Sequence, residues 1–343
     1  MPPKKPDQSA LKTLKAQLKE KNLGQLYVFH GEEAYLRDYY LDRIQEQLLA
    51  PGTEIFNCKR LEGKDVTVRD VTAACDCLPM MAQRTLVLVT DLDLFKLGEA
   101  DRDALMAYFD DLPEYLCLVF VYDVIPYKPD ARTKLAASLK GHGLVVEFPR
   151  QEQGDLVDWI VRRFKATGHD IDSEQSKYLI FLCGDLMHNL ASEIGKIGAY
   201  AKQRRITRAD IDAVATRQLD AVVFQLTDHL SAKNYDKAMA TLSDLLHMQE
   251  VPYVILAALG KYLRQLYAAR VALDSRHNAD DLAALWKMHP YPASKLMSAA
   301  QRVSLSWCRQ ALEAAAAADL ELKSTGNRPQ DVLTELVLTL AHG

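Results

Sequence analysis

A chain of 343 residues, 49% hydrophobic and 26% charged, is long enough to bury a sizeable core and longer than one core usually serves, so two or three domains are expected. Its 42 Lys and Arg stand against 46 Asp and Glu, and a net charge of -4 excludes an overall field that would draw it onto nucleic acid or an anionic membrane. No apolar run reaches the roughly 18 residues of a membrane span, the N-terminus is lysine-rich, and six scattered cysteines form no C-x-x-C pair, so a cytoplasmic chain with reduced, mostly buried thiols is expected.

Leu11, Leu14 and Leu18 recur at three and four, which predicts a helix from Ser9 to about Asn22 with its lysines turned to solvent. An apolar strand from Gln25 to Phe29 ends at His30-Gly31 and leads into an amphipathic helix from Glu32 to Leu49, closed by Pro51-Gly52. Extended and helical segments then alternate: 56–61 extended, 66–78 helical, 85–89 extended, 100–109 helical, 115–122 extended, 131–140 helical and 144–148 extended. The runs Leu86 to Val89 and Leu116 to Val121 are apolar on both faces, as strands buried between two helical layers must be. A mainly parallel, five-stranded α/β sheet is therefore expected within residues 1–148. After Pro149 the strand signal disappears, leaving a small helical domain over 149–215 and an all-helical bundle over 216–343.

A strand, glycine turn and helix at the start of such a sheet is where G-x-x-x-x-G-K-[ST] would cradle phosphates. Here the turn is His30-Gly31-Glu32-Glu33-Ala34-Tyr35, with one glycine, no lysine and two carboxylates that repel a triphosphate. Gly63-Lys64, Gly195-Lys196 and Gly260-Lys261 are the Gly-Lys pairs, and none is followed by Ser or Thr. No cofactor is expected. Asp91, Asp93 and Asp123 follow buried strands and could gather at the carboxyl edge of the sheet to hold Mg²⁺ for phosphoryl transfer; the alternative is ordinary turn and cap chemistry. The histidines show no ligand spacing, no nucleophile elbow is present, and Cys75 and Cys77 lie two apart on a predicted helix, a poor arrangement for chelation.

Three segments carry a resemblance. Leu26-Tyr-Val-Phe-His-Gly-Glu-Glu-Ala-Tyr-Leu36, Leu78-Pro-Met-Met-Ala-Gln-Arg-Thr-Leu-Val-Leu-Val89 and Asp319-Leu-Glu-Leu-Lys-Ser-Thr-Gly326, in this order, resemble the delta subunits of bacterial DNA polymerase III, the wrench of the clamp loader. The resemblance implies a degenerate AAA+ or RecA-like α/β domain that binds the clamp (1–148), a lid (149–215) and a helical collar for oligomerisation (216–343). It implies a non-catalytic subunit that binds the beta sliding clamp and holds one ring interface open for loading on primed DNA. Its partners would be the gamma/tau ATPase subunits and delta-prime. The related stator subunit would show a cysteine-rich zinc module and a Ser-Arg-Cys motif, which are absent. Where the family often carries a Leu-Phe pair in the contact segment, this chain has Met80-Met81.

The contact segment has its own physics. Val68, Val71, Cys75 and Leu78 form one stripe to pack on the sheet, and Pro79, Met80 and Met81 continue beyond it. The two methionines either stand out as a soft knob for a partner's pocket or tuck under the next strand; the resemblance favours the knob, with Leu78, Pro79, Met80 and Met81 as the clamp contact. In the last region, Trp286 beside Lys287 offers a base-stacking contact with DNA, or else fills the core. Lys202, Arg204, Arg205 and Arg208 form a basic cluster, read as a solvated face with phosphate contact as the minor alternative.

Overall fold

The computed structural model describes residues 9–63, 65–130, 132–247, 250–286 and 288–342. Residues up to Gln151, with Leu186–His188, form one compact unit; Glu152–Asp185 and the residues from Asn189 onward form the other.

The first unit runs α1 (Ser9–Glu20), β1 (Leu26–His30), α2 (Ala34–Leu48), α3 (Glu54–Asn57), β2 (Cys58–Glu62), α4 (Val68–Cys75), β3 (Thr85–Thr90), α5 (Glu99–Asp110), β4 (Leu116–Val121), α6 (Lys134–His142) and β5 (Leu144–Glu147). The sheet is parallel throughout, in the order β2-β3-β4-β1-β5, with Val28 of β1 opposite Phe120 of β4 and Val87 of β3 opposite Leu118. Side chains alternate across each strand, so both faces need apolar residues. On one face Val28, Val87, Val89, Leu118 and Phe120 pack with Val71 and Cys75 of α4, Phe109 of α5 and Leu139 of α6. On the other, Tyr27, Phe29, Leu86, Leu88 and Val119 pack with Leu14 of α1 and Tyr40 and Ile44 of α2. Burial pushes the Cys75 and Cys117 thiols up to about 12, which keeps them protonated and unreactive. Cys183 and Cys308 are buried as well, Cys58 is half-buried and Cys77 exposed, and all six cysteines are free thiols, mostly buried as expected.

Three local expectations are corrected. Residues 56 and 57 are not extended. The Thr53 carbonyl accepts from the Phe56 and Asn57 amides, each at 3.1 Å, closing the single turn of α3 after Gly52 has reversed the chain at positive φ. Helix α4 stops at Cys75, three residues short of Leu78, because Pro79 disfavours helical backbone at the residue before it. Leu78 is consequently outside the stripe and 72% exposed. Helix α6 starts at Lys134, where the Thr133 hydroxyl accepts from the Ala136 amide; the expected start at Ala131 lies outside the described residues.

The rest of the chain is helical, and all of it but the first two residues of α9 belongs to the second unit: α7 (Gln153–Ala166), α8 (Ser173–Cys183), α9 (Met187–Tyr200), α10 (Arg208–Val214), α11 (Leu219–Ser231), α12 (Tyr235–His247), α13 (Pro252–Asp274), α14 (Ala279–Trp286), α15 (Pro290–Ala300), α16 (Leu305–Ser324) and α17 (Pro329–His342). Its core is built on α13, where Leu259, Leu263 and Leu266 meet Leu226 of α11, Leu242 of α12 and Leu336 of α17. Phe181 of α8 packs edge to face on Phe224 of α11, centroids 5.0 Å apart. Among the described residues no helix is long and apolar enough to cross a membrane.

Candidate functional site

The turn after β1 is closed by its own residues. Gly31 has φ +122°, and a Cβ there would lie 2.3 Å from the Phe148 carbonyl oxygen, so only glycine fits. The Glu33 amide donates to that same carbonyl at 2.9 Å, and its carboxylate is buried, capping α2 through the Tyr35 amide at 3.3 Å. Glu32 pairs with Arg150 at 2.7 Å. Buried Arg37 donates to the Tyr122 carbonyl at 3.3 Å and to Asp123 at 2.6 Å. A phosphate would meet acids and a carbonyl here, where it needs free N–H groups and positive charge.

The three aspartates after the strands are each occupied separately. Asp91, at φ +57°, accepts on Oδ1 from the amides of Asp123, Val124 and Ile125 at 2.9 to 3.1 Å, tying the loop after β4 to the end of β3. Asp93 pairs with Lys96 at 3.0 Å, and Asp123 holds Arg37. Among the described residues no group of three or more His, Cys, Asp or Glu side chains converges on a metal position. The phosphoryl-transfer reading is therefore not favoured: these carboxylates do turn and anchor chemistry.

The loop between α4 and β3 is arranged in the opposite manner. Thr67 and Asp70 form a reciprocal capping box that starts α4, and hydrogen bonds from Thr67 hold the Asp70 carboxyl below its usual range. At the far end of α4 the Tyr108 hydroxyl donates to the Asp76 carboxylate at 2.8 Å. Arg84 closes the loop by donating to the carbonyls of Leu23, Gly24 and Leu116, each at 2.8 Å. Midway, fully buried Asn57 accepts from the Met80 amide at 2.7 Å and donates to the Met80 carbonyl at 2.8 Å. Between these anchors Met80 is 56% and Met81 91% exposed, and Pro79 is half-buried. Leu78, Met80 and Met81 thus leave three large apolar side chains in solvent on a loop whose Met80 backbone is fastened. The sequence reading missed Asn57 and the role of Arg84; a lone polar residue just before a strand was the available signal.

Of the other candidates, Trp286 ends α14 half-buried against the helical core, and Lys287 lies outside the described residues. Arg204 and Arg205 pair with Asp170 at 2.7 Å and Asp172 at 3.2 Å, while Arg208 stacks over Tyr178 at 3.9 Å. This cluster spends much of its charge inside the unit.

Fold and site together define an α/β domain with a five-stranded parallel sheet, whose first strand-to-helix turn is filled by its own residues, continued by a helical unit. The sequence matches the family described as DNA polymerase III, delta subunit, over residues 27–149, and that family's C-terminal domain over 220–340. It is 25% identical over 327 residues to DNA polymerase III subunit delta of Bacillus subtilis, covering 94% of each chain. A probable DNA polymerase III subunit delta of Aquifex aeolicus is 24% identical over 250 residues, 71% of this chain and 70% of that one. Among solved structures, the Bacillus subtilis DNA clamp loader delta protein shares the fold at a TM-score of 0.60 and 23% identity, covering 97% of this chain and 100% of that one. The chain belongs to the DNA polymerase III delta subunit family, whose work is DNA replication.

Proposed function

We propose that this delta subunit binds the beta sliding clamp through Leu78, Pro79, Met80 and Met81 and stabilises the ring with one interface open, without ATPase activity of its own. The carrying observation is the loop itself: the Asp76 and Arg84 side chains hold its ends and Asn57 grips the Met80 backbone, while its large apolar side chains stay in solvent. A monomer gains nothing from exposing them, whereas a partner's apolar pocket would. The reading divides the chain into a clamp-binding domain (1–148), a lid (149–215) and a collar (216–343) that joins the gamma/tau and delta-prime subunits in the cytoplasm. Primed DNA is met within that assembly, with Trp286 as the candidate base contact and Lys287 beside it.

Opening requires tighter binding to the open ring than to the closed one, so the loop should speed unloading of clamps from circular DNA. The direct test is titration of the full chain into purified sliding clamp, alongside a titration with Mg-ATP. Saturable clamp binding and no heat with Mg-ATP are expected. Clamp binding that is absent, or ATP turnover abolished by Asp91→Asn, overturns the reading.

A further inference from the structure

Asn57 is the only residue whose side chain spans the gap between the turn of α3 and the contact loop through both polar ends of its amide, among the hydrogen bonds of the described residues. Burying an amide is unfavourable unless its donors and acceptor are all used. Here Oδ1 accepts from the Met80 N–H, and Nδ2 donates both to the Met80 carbonyl and to the Thr53 carbonyl at 3.2 Å. Gripping one residue's N–H and C=O together fixes it as a neighbouring strand would, so the peptide groups flanking Met80 can neither slide nor flip. The next residue, Met81, is held at φ +56°, a backbone region unfavourable for a side chain of this size.

What this clasp fixes is not core. The side chains of Met80 and Met81 are exposed, so hydrophobic burial of the loop does not account for a fully buried amide committed to its backbone. Exposed apolar residues also precede the clasp in the chain: Ile55 is 80% and Phe56 50% exposed, immediately before Asn57 on α3. Two apolar pairs, separated in sequence by more than a helix and a strand, are thereby tied to one amide. Adjacent large apolar side chains left in water mark an interaction surface, and a loop already held in its bound shape loses less freedom on docking.

We propose that Asn57 is the positioning residue of the contact loop, and that Ile55 and Phe56 extend the surface of Met80 and Met81 toward the same partner, the sliding clamp. The proposal rests on the clamp-binding reading above. It assigns the first pair to the rim of the contact and the methionines to its centre, and it makes Asn57 act through the loop without touching the clamp itself.

The test uses the full chain and purified sliding clamp, with affinity measured by calorimetry and folding checked by circular dichroism. Asn57→Ala leaves the Met80 N–H and C=O without their partner, and a loss of clamp affinity of about tenfold is expected from a loop no longer held in place. In a Met80→Ala/Met81→Ala background, Asn57→Ala should weaken binding little further, because the groups it positions are gone. Ile55→Ala/Phe56→Ala should cost roughly fivefold, as befits the rim of an interface. Should Asn57→Ala fail to fold, Asn57→Asp keeps the shape and the acceptor; its affinity relative to the parent chain should recover as pH falls and the carboxyl becomes a donor. Unchanged affinity in Asn57→Ala, losses that add in full to those of the methionine pair, unchanged affinity in Ile55→Ala/Phe56→Ala, or no recovery of Asn57→Asp would each overturn the inference while leaving the clamp-binding reading intact. Full affinity in Met80→Ala/Met81→Ala would instead remove the reading on which it rests.

Discussion

Two loops of the α/β unit, the turn after β1 and the loop before β3, start from similar material and end in opposite states. In the turn, Gly31 is pressed on Phe148, Glu33 is buried as a cap, Glu32 takes Arg150, and Arg37 takes Asp123. The Glu33 amide and the charges of Glu32, Glu33 and Arg37 are all spent inward. In the loop before β3, Tyr108, Asn57 and Arg84 also spend their hydrogen bonds inward, yet they spend them on backbone and cap atoms, leaving Leu78, Met80 and Met81 outside. A turn packed with its own carboxylates has little to offer an anion, whereas a loop held at both ends and at the Met80 backbone can offer its remaining apolar side chains to a partner.

Substitutions can break this contrast. Gly31→Ala should have the largest effect, since the added Cβ meets the Phe148 carbonyl at 2.3 Å on a positive-φ backbone. A loss of about 3 kcal/mol or more of stability is expected, read as a drop in the thermal midpoint. A change of only a degree or two would mean that the turn is not closed as described. Next comes Met80→Ala/Met81→Ala, for which clamp affinity should fall roughly thirtyfold, about 2 kcal/mol, with the melting midpoint nearly unchanged. A strong fall in melting midpoint at constant affinity per folded molecule would move the pair into the core and erase the contrast.

Asp91→Ala sharpens the comparison from the turn's side of the sheet. Removing the acceptor for three amides should cost about 1 to 2 kcal/mol in urea unfolding and leave clamp affinity untouched. Loss of a catalytic activity in this variant would instead restore the phosphoryl-transfer reading.

The smallest effect concerns His30, the last residue of β1, stacked on Tyr127 at 4.4 Å. Burial lowers its pKa to about 4, so the folded protein favours neutral imidazole. The unfolded chain takes up the proton first, near the ordinary pKa. This contribution to stability is therefore present at neutral pH and is lost as pH falls from about 6.5 toward 4. Solvent at the half-buried ring reduces it to on the order of 1 kcal/mol. Urea unfolding at neutral and mildly acidic pH should show a shallower pH dependence in His30→Phe than in the parent chain. Equal slopes would show that the ring is solvated in the folded state.

Much of the architecture is legible in the sequence. Both-faced apolar runs at Leu86 and Leu116 gave buried parallel strands, and the three-and-four spacing of Val68, Val71 and Cys75 gave a helix against them. At Gly31 the sequence shows an acidic turn with one glycine and no lysine. Leu78 was misassigned to the stripe because spacing alone does not register where Pro79 ends the helix, and 56–57 was misread because a single helical turn is too short to show a period. At Met80 and Met81 hydrophobicity alone does not distinguish a knob from core; the resemblance favours the knob, and both side chains are exposed.

By itself the sequence determined the order of strands and helices, the two apolar faces of the sheet and the absence of a phosphate-binding motif, because each depends on residues within a few positions of one another. Tertiary structure alone decided that Asn57 grips Met80, that Arg84 gathers the carbonyls of Leu23, Gly24 and Leu116, and that Asp91 caps the loop after β4. Those contacts join segments far apart along the chain. A polar side chain's role is set by whichever buried donor or acceptor the folded chain brings within about 3 Å of it, and local pattern carries no record of that return.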